Sequence, residues 1–269
     1  MHSRINFNGE ITLSNSLRFE LNHPIFLSGE ILQEKIRLFQ NKFMFVERHY
    51  FHLMAQMRMA RMEIPMTYTP DFFYEQLSKL KEETKLENGL FNFYVTQSST
   101  ATDFWISAEE MPNQIYFNQD YTLDLYRETH VSTDFHQRLN FLNPRLKILK
   151  LYAQENGIDD LILLNHKKAV AHSMHGNIFM IQGQQVFTPS MEEGAKDNVL
   201  RDRVLQACKR TPEIDNIQEV ELFPFKLTHA DEIFIAQNGK GIIKVVQLRK
   251  KKYTDTITQS IVKILSELD

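Results

Sequence analysis

Between residues 161 and 189 four short runs follow one another with only a few residues between them: LILLN (161–165), KAVAH (168–172), NIFMI (177–181) and QQVFTP (184–189). Runs of this length, bounded by Asn, His, Gly and Lys, suit strands and are too short for helices. A helix over about 144–156 precedes them. Two amphipathic helices come later, DNVLRDRVLQACKR with Leu200, Val204, Ala207 and Cys208 on one face, and DTITQSIVKILSEL with Ile257, Ile261, Ile264, Leu265 and Leu268 aligned. Between them, DEIFIAQNGKGIIKVVQL reads as two strands around an Asn-Gly turn.

The N-terminal part has a different rhythm. ILQEKIRLF (31–39) alternates in strand fashion and NKFMFVE follows a short turn, which predicts a hairpin. A helix over 47–62 places Tyr50, Leu53, Met54 and Met57 on one stripe and stops before Pro65. Thr69 caps a second helix with Pro70 at its first position and Phe73, Leu77 and Leu80 on one face. LFNFYVTQ (90–97) and DFWIS (103–107) are aromatic strands on either side of the turn-prone SSTAT. The change of pattern sets a boundary near 118–125: a small α+β domain over 1–120 and a larger α/β domain over 121–269.

Bulk properties narrow the function classes. At 269 residues, with 42% hydrophobic and 24% charged residues and few Gly and Pro, the chain is long enough for two folded domains. A net charge of −3 offers no basic field for nucleic acid. The single cysteine, Cys208, forms no internal disulfide, which points to a reducing compartment, the cytoplasm. The N-terminal MHSRINFNGEITLSNSLRF is not a basic cap followed by an apolar run, and no segment is apolar for the length of a bilayer, so no membrane partner is expected. The scattered Phe and Met residues read as core filler.

The segments 161–206 and 230–246 resemble fold-type IV pyridoxal-phosphate enzymes, which include branched-chain and D-amino-acid aminotransferases and aminodeoxychorismate lyase. The matching residues, in the family's order, are Asn177-Ile178-Phe179, Thr188-Pro189, Arg201 and Ala230-Asp231-Glu232. Before residue 120, EILQEKIRLFQNKFMFVERHYFHLMAQMRMARMEIP is similar to the family's strand, hairpin and helix. The resemblance implies a two-domain α/β architecture with pyridoxal phosphate between the domains, a homodimer, and a small amino acid or carboxylate as ligand. Thr188-Pro189 is then a turn, Asn177 a hydrogen-bonding strand end and Ala230-Asp231-Glu232 a helix-to-strand corner.

The family's chemistry needs a lysine to form the imine, a carboxylate to keep the pyridine nitrogen protonated, and an arginine and a glycine-opened helix start to hold the phosphate. Here Gln137 stands in the lysine position, His172 in that of the acid, His52 in that of the arginine and Asn198 in that of the glycine. Asn198 and Val199 at the helix start, Asn177, and Asn238 and Lys240 in the loop after the ADE strand fall at the cofactor-binding positions. A glutamine amide forms no imine, and a neutral imidazole is neither a carboxylate nor a guanidinium fork. The resemblance therefore implies the scaffold with altered cofactor chemistry.

Three alternatives stay open. Lys147, or Lys150 beside it, enters the site through a shifted alignment; Lys147 or Lys240 acts as a displaced imine lysine; or the scaffold serves as a cofactor-free binding protein or enzyme. Arg48, Arg58 and Arg61 are candidates to replace the arginine. His136, His52, His172 and His175 gather imidazoles near the same positions, but their spacing is not that of a metal site, and none is expected.

Overall fold

The computed structural model describes residues 4–19, 21, 23–27, 30–98, 101–133, 139 and 146–268. The chain divides into two compact units, one running to Gln114 and the other beginning at Ile115, with Leu139 grouped with the first.

The first unit is a sheet with two helices on one face. Its strands are β1 (Arg4–Phe7), β2 (Glu10–Leu13), β3 (Leu32–Phe39), β4 (Lys42–Phe43), β5 (Gly89–Gln97) and β6 (Thr102–Glu110), in the order β2-β1-β6-β5-β3-β4 and antiparallel throughout. The helices are the short α1 (Pro24–Leu27), then α2 (Val46–Met59) and α3 (Pro70–Thr84). The predicted hairpin is β3–β4, and Thr69 caps α3 by accepting from the Phe72 amide at 3.1 Å. Helix α2 ends at Met59, short of the predicted 62, because Arg61 turns left-handed at φ 59° and the Met62 amide closes back on Met57. Leu53, Met54, Met57, Phe73, Leu77 and Leu80 are buried as the two stripes require. They meet a stack of Phe73, Phe93 and Phe104 with successive centroids 4.7 and 5.2 Å apart.

The second unit holds two sheets packed face to face. Its strands are β7 (Tyr116–Phe117), β8 (Thr122–Leu125), β9 (Asp160–Leu164), β10 (Val170–Ser173), β11 (Asn177–Gln182), β12 (Gln185–Pro189), β13 (Asn216–Val220), β14 (Glu232–Gln237), β15 (Gly241–Lys244), β16 (Gln247–Leu248) and β17 (Lys251–Lys252). One sheet runs β10-β9-β8-β16-β17 and the other β13-β12-β11-β14-β15-β7. Ile162, Leu164 and Val170 from the first meet Ile178, Met180, Ile235 and Ile243 from the second in one apolar core. Helix α4 (Leu146–Glu155) covers the outer face of the first sheet through Leu149 and Ala153, which pack with Leu161 and Leu163. Helices α5 (Val199–Arg210) and α7 (Thr256–Ser266) pack together beside the second sheet, with the short α6 (Pro224–Leu227) leading into β14.

Three readings of the sequence change. Thr188-Pro189 is the end of β12 rather than a turn: the Thr188 hydroxyl donates to the Ile178 carbonyl at 2.8 Å and Pro189 pairs with Val220 of β13. In α7 only Ile261 and Leu265 of the aligned apolar residues are fully buried, and Thr258 takes the third place. That helix is capped from a distance, since the buried Glu232 carboxylate accepts from the Ile257 and Thr258 amides at 2.8 Å each. Strands β1, β2, β7, β8, β13 and β17 were not read from the sequence and add to its predicted elements.

Candidate functional site

In the first unit the alternation of β3 puts Leu32, Glu34, Ile36 and Leu38 on the core face, so a carboxylate occupies a position where the pattern asks for an aliphatic side chain. Helix α2 packs over that face and brings His49 and His52, one turn apart, onto it. The two Nδ1–H groups donate to the two oxygens of Glu34 at 2.6 Å from His49 and 2.7 Å from His52. Burial alone would raise the Glu34 pKa, but the charge and hydrogen bonds of His52 and His49 outweigh it and hold the carboxyl at about 2. His52, which the resemblance implied for the family's arginine position, is tied to a carboxylate of its own chain. Arg48, Arg58 and Arg61 are exposed in this unit.

In the second unit β10 delivers His172, whose Nδ1–H donates to the Ser173 carbonyl at 2.6 Å. A carbonyl oxygen accepts only, so this bond fixes the proton on Nδ1 and leaves Nε2 as an acceptor. Burial, reinforced by the nearby Lys196 ammonium and only partly offset by the Ser173 carbonyl, takes the imidazole down from 6.5 to about 3. The ring is neutral at physiological pH. Lys196 is held by Asn177, whose amide accepts from the Lys196 N–H at 2.8 Å and donates to its carbonyl at 3.0 Å, while the Lys196 ammonium donates to the Met174 carbonyl at 2.7 Å. Asn177 thus ties the start of β11 to the segment entering α5.

The opening of α5 is built by Asn198. Its side chain accepts from the Arg201 amide at 3.0 Å, as an N-cap does, and Asn198 and Val199 are both buried. Arg201 turns away to the Pro189 carbonyl at 3.0 Å and to Glu219 at 2.7 Å. Asn238 is half-buried in the turn after β14, where its Oδ1 is buried and accepts no hydrogen bond among the described residues.

Lys240 lies in the same turn, its ammonium 4.6 Å from the centroid of the Phe117 ring. Gly241 makes this turn possible: it sits at φ 132°, and a side chain there would run into the Ile115 carbonyl. Burial pushes the Lys240 amine below its ordinary range, with the Asp160 carboxylate opposing. Asp160, fully buried at the start of β9, accepts from the Tyr121 hydroxyl at 3.1 Å and stands 3.5 Å from Nδ1 of His175. Tyr121 and Asp160 had no signature in the sequence, since an Asp opening a strand and a Tyr beside a turn are commonplace there.

Gln137 and His136 lie outside the described residues. Lys147 and Lys150 lie on α4 with exposed side chains. Among the described residues no group of three or more His, Cys, Asp or Glu side chains is arranged to hold a metal ion, and no helix is long and apolar enough to cross a membrane.

The chain's relatives fit this architecture. It is 22% identical over 287 residues to a probable branched-chain-amino-acid aminotransferase of Aquifex aeolicus, covering 97% of this chain and 89% of the relative. Among solved structures it superposes on the branched-chain aminotransferase of Thermoproteus uzoniensis with norvaline, with a TM-score of 0.87 at 16% identity over 100% of this chain and 97% of the other. It also superposes on a putative 4-amino-4-deoxychorismate lyase of Legionella pneumophila, with a TM-score of 0.82 at 20% identity over 94% and 96% of the two chains. At these identities the structural likeness establishes the fold. The profile of the amino-transferase class IV family matches residues 32–248, a span that takes in β3, α2, the strands from β9 to β12 and the turn of Lys240, and the chain belongs to that family.

Proposed function

We propose that this protein is a class IV aminotransferase homologue that holds a small amino-acid or carboxylate ligand without running pyridoxal-phosphate chemistry from the family's lysine position. The observation that carries this reading is His172: where the family uses an acid to keep a pyridine nitrogen protonated, this chain has an uncharged ring with its proton committed to the Ser173 carbonyl. Two further features support it. His52 is engaged by Glu34 in place of an arginine aimed at a phosphate, and Asn198 spends its side chain on capping α5 where a glycine would leave the amides open. With Gln137 in the lysine position, this donor set does not fit the cofactor, and no catalytic step is assigned to it.

The test is direct. Pyridoxal phosphate is added to the purified protein and the visible spectrum is followed for an aldimine band that borohydride abolishes. The proposal expects none, and a stoichiometric band would overturn it in favour of the alternative, an active aminotransferase or lyase with a displaced lysine. What favours that alternative is Lys240, whose amine is partly desolvated, whereas Lys147 is exposed. The proposal extends to a homodimer, on the family's usual assembly, and to the cytoplasm, on the single buried Cys208. Sedimentation at micromolar concentration checks the dimer.

A further inference from the structure

On the face of the first sheet turned away from α2 and α3, β3 carries a buried cation without a counter-charge. Alternation along the strand sets Glu34, Ile36 and Leu38 toward the helices and Arg37 toward the other face, where the residue is nonetheless only 4% exposed. Its guanidinium donates through Nη1 to the Gly89 carbonyl at 3.4 Å, and through Nη2 to the Gln114 carbonyl at 3.3 Å and to the Pro112 carbonyl. Among the described residues no carboxylate pairs with Arg37, and its buried Nε makes no hydrogen bond. A buried charge satisfied only by carbonyls, with one donor left over, is a poor way to stabilise a sheet, since an aliphatic side chain would fill the place without the desolvation cost. What the planar fork supplies instead is reach. It holds the start of β5 together with a segment beyond Glu110, where the pairing of β5 with β6 has ended.

That segment is where the chain leaves the first unit, which closes at Gln114. The Met111 amide donates to the Asn88 carbonyl at 3.1 Å and the Gln114 amide to the Pro112 carbonyl at 2.8 Å. One residue on, the Ile115 carbonyl accepts from the Ile242 amide of the second unit's own β15 at 2.8 Å, an approach that Gly241 permits. The carbonyls of two consecutive residues are therefore each fixed, that of Gln114 by Arg37 and that of Ile115 by β15. We infer that Arg37 is a latch on the chain's exit from the first unit. Closed, it confines the play of the chain at this crossing to the torsions of Gln114 and Ile115. Open, it frees residues 111–114 as a tether that spans about 13 Å when extended.

The experiment follows amide hydrogen exchange of the full chain by peptide mass spectrometry in the wild type, Arg37→Met and Arg37→Lys. In Arg37→Met the amides of Met111, Asn113 and Gln114 should exchange about tenfold faster, while α3 in the first unit and β11 in the second keep their wild-type rates. Arg37→Lys keeps the charge but lacks the fork, so the same three amides should speed up several-fold. Where Arg37→Met does not fold, Arg37→Lys alone decides. Wild-type exchange over residues 111–114 in either folded variant overturns the inference. So does an acceleration shared equally by β3, β5 and α3, which would make Arg37 a general support of the first sheet.

Discussion

Each unit contains a buried carboxylate next to imidazole, and the two are built to opposite ends. Glu34 in the first unit is sealed: both oxygens take short bonds from Nδ1 groups, and the His49 and Glu34 side chains are 4% and 1% exposed. Asp160 in the second is equally buried, but its imidazole partner is longer, at 3.5 Å, and the His175 side chain is 25% exposed. A fully satisfied buried charge rigidifies its surroundings and has no capacity left for a ligand. A loosely held imidazole at the surface contributes little to stability and can exchange protons. The contrast is between a closed cluster that supports the fold and an open one whose imidazole meets solvent.

The largest effect that can break this comparison is Glu34→Gln, which strips the charge from between two imidazole donors. It should destabilise the protein by about 3–5 kcal/mol in urea unfolding. A cost near that of an exposed pair would remove the distinction between the clusters.

Acid titration sharpens it next. His172 has its folded pKa lowered from 6.5 to about 3, so below 6.5 the unfolded state binds a proton that the folded state refuses. Stability from this group is complete above pH 6.5 and falls by roughly 1.4 kcal/mol per pH unit as pH drops toward 3. Glu34, lowered from 4.5 to about 2, contributes fully above 4.5 and is lost between 4.5 and 2. Urea midpoints between pH 7 and 4.5 should therefore report His172, and His172→Gln should flatten them in that window.

A smaller effect, about 1 kcal/mol, is expected for Asn198→Ala through loss of the α5 cap, whereas Asn198→Gly should cost only a few tenths. Equal losses from both would show that Asn198 matters through packing. Smallest of all, His175→Gln should change stability by less than about 0.5 kcal/mol, because the imidazole is partly exposed and its bond is long. A large loss there would make the second cluster structural after all.

How much of this was legible in the sequence differs by range. The hairpin β3–β4, helices α2, α3, α5 and α7 and strands β9–β12, β14 and β15 follow from periodicity and caps, because those signals are local. Glu34 could have been found: it interrupts the apolar face of ILQEKIRLF, and His49 and His52 share one face of the next helix, a pattern that marks a buried acid seeking donors. The pairing of Tyr121 with Asp160, 39 residues apart, left no such trace.

The sequence by itself determined the longer helices, many of the strands and most of their buried faces, since each is a matter of residue type at a local spacing. The tertiary structure alone decided what individual side chains do: that His172 donates its Nδ1 proton to the Ser173 carbonyl, that His52 turns to Glu34, and that His175 and Tyr121 meet at Asp160. Hydrogen bonds and desolvation depend on which atoms lie within a few ångströms, and across two sheets that is set by strand pairing, whose long-range partners no local pattern specifies.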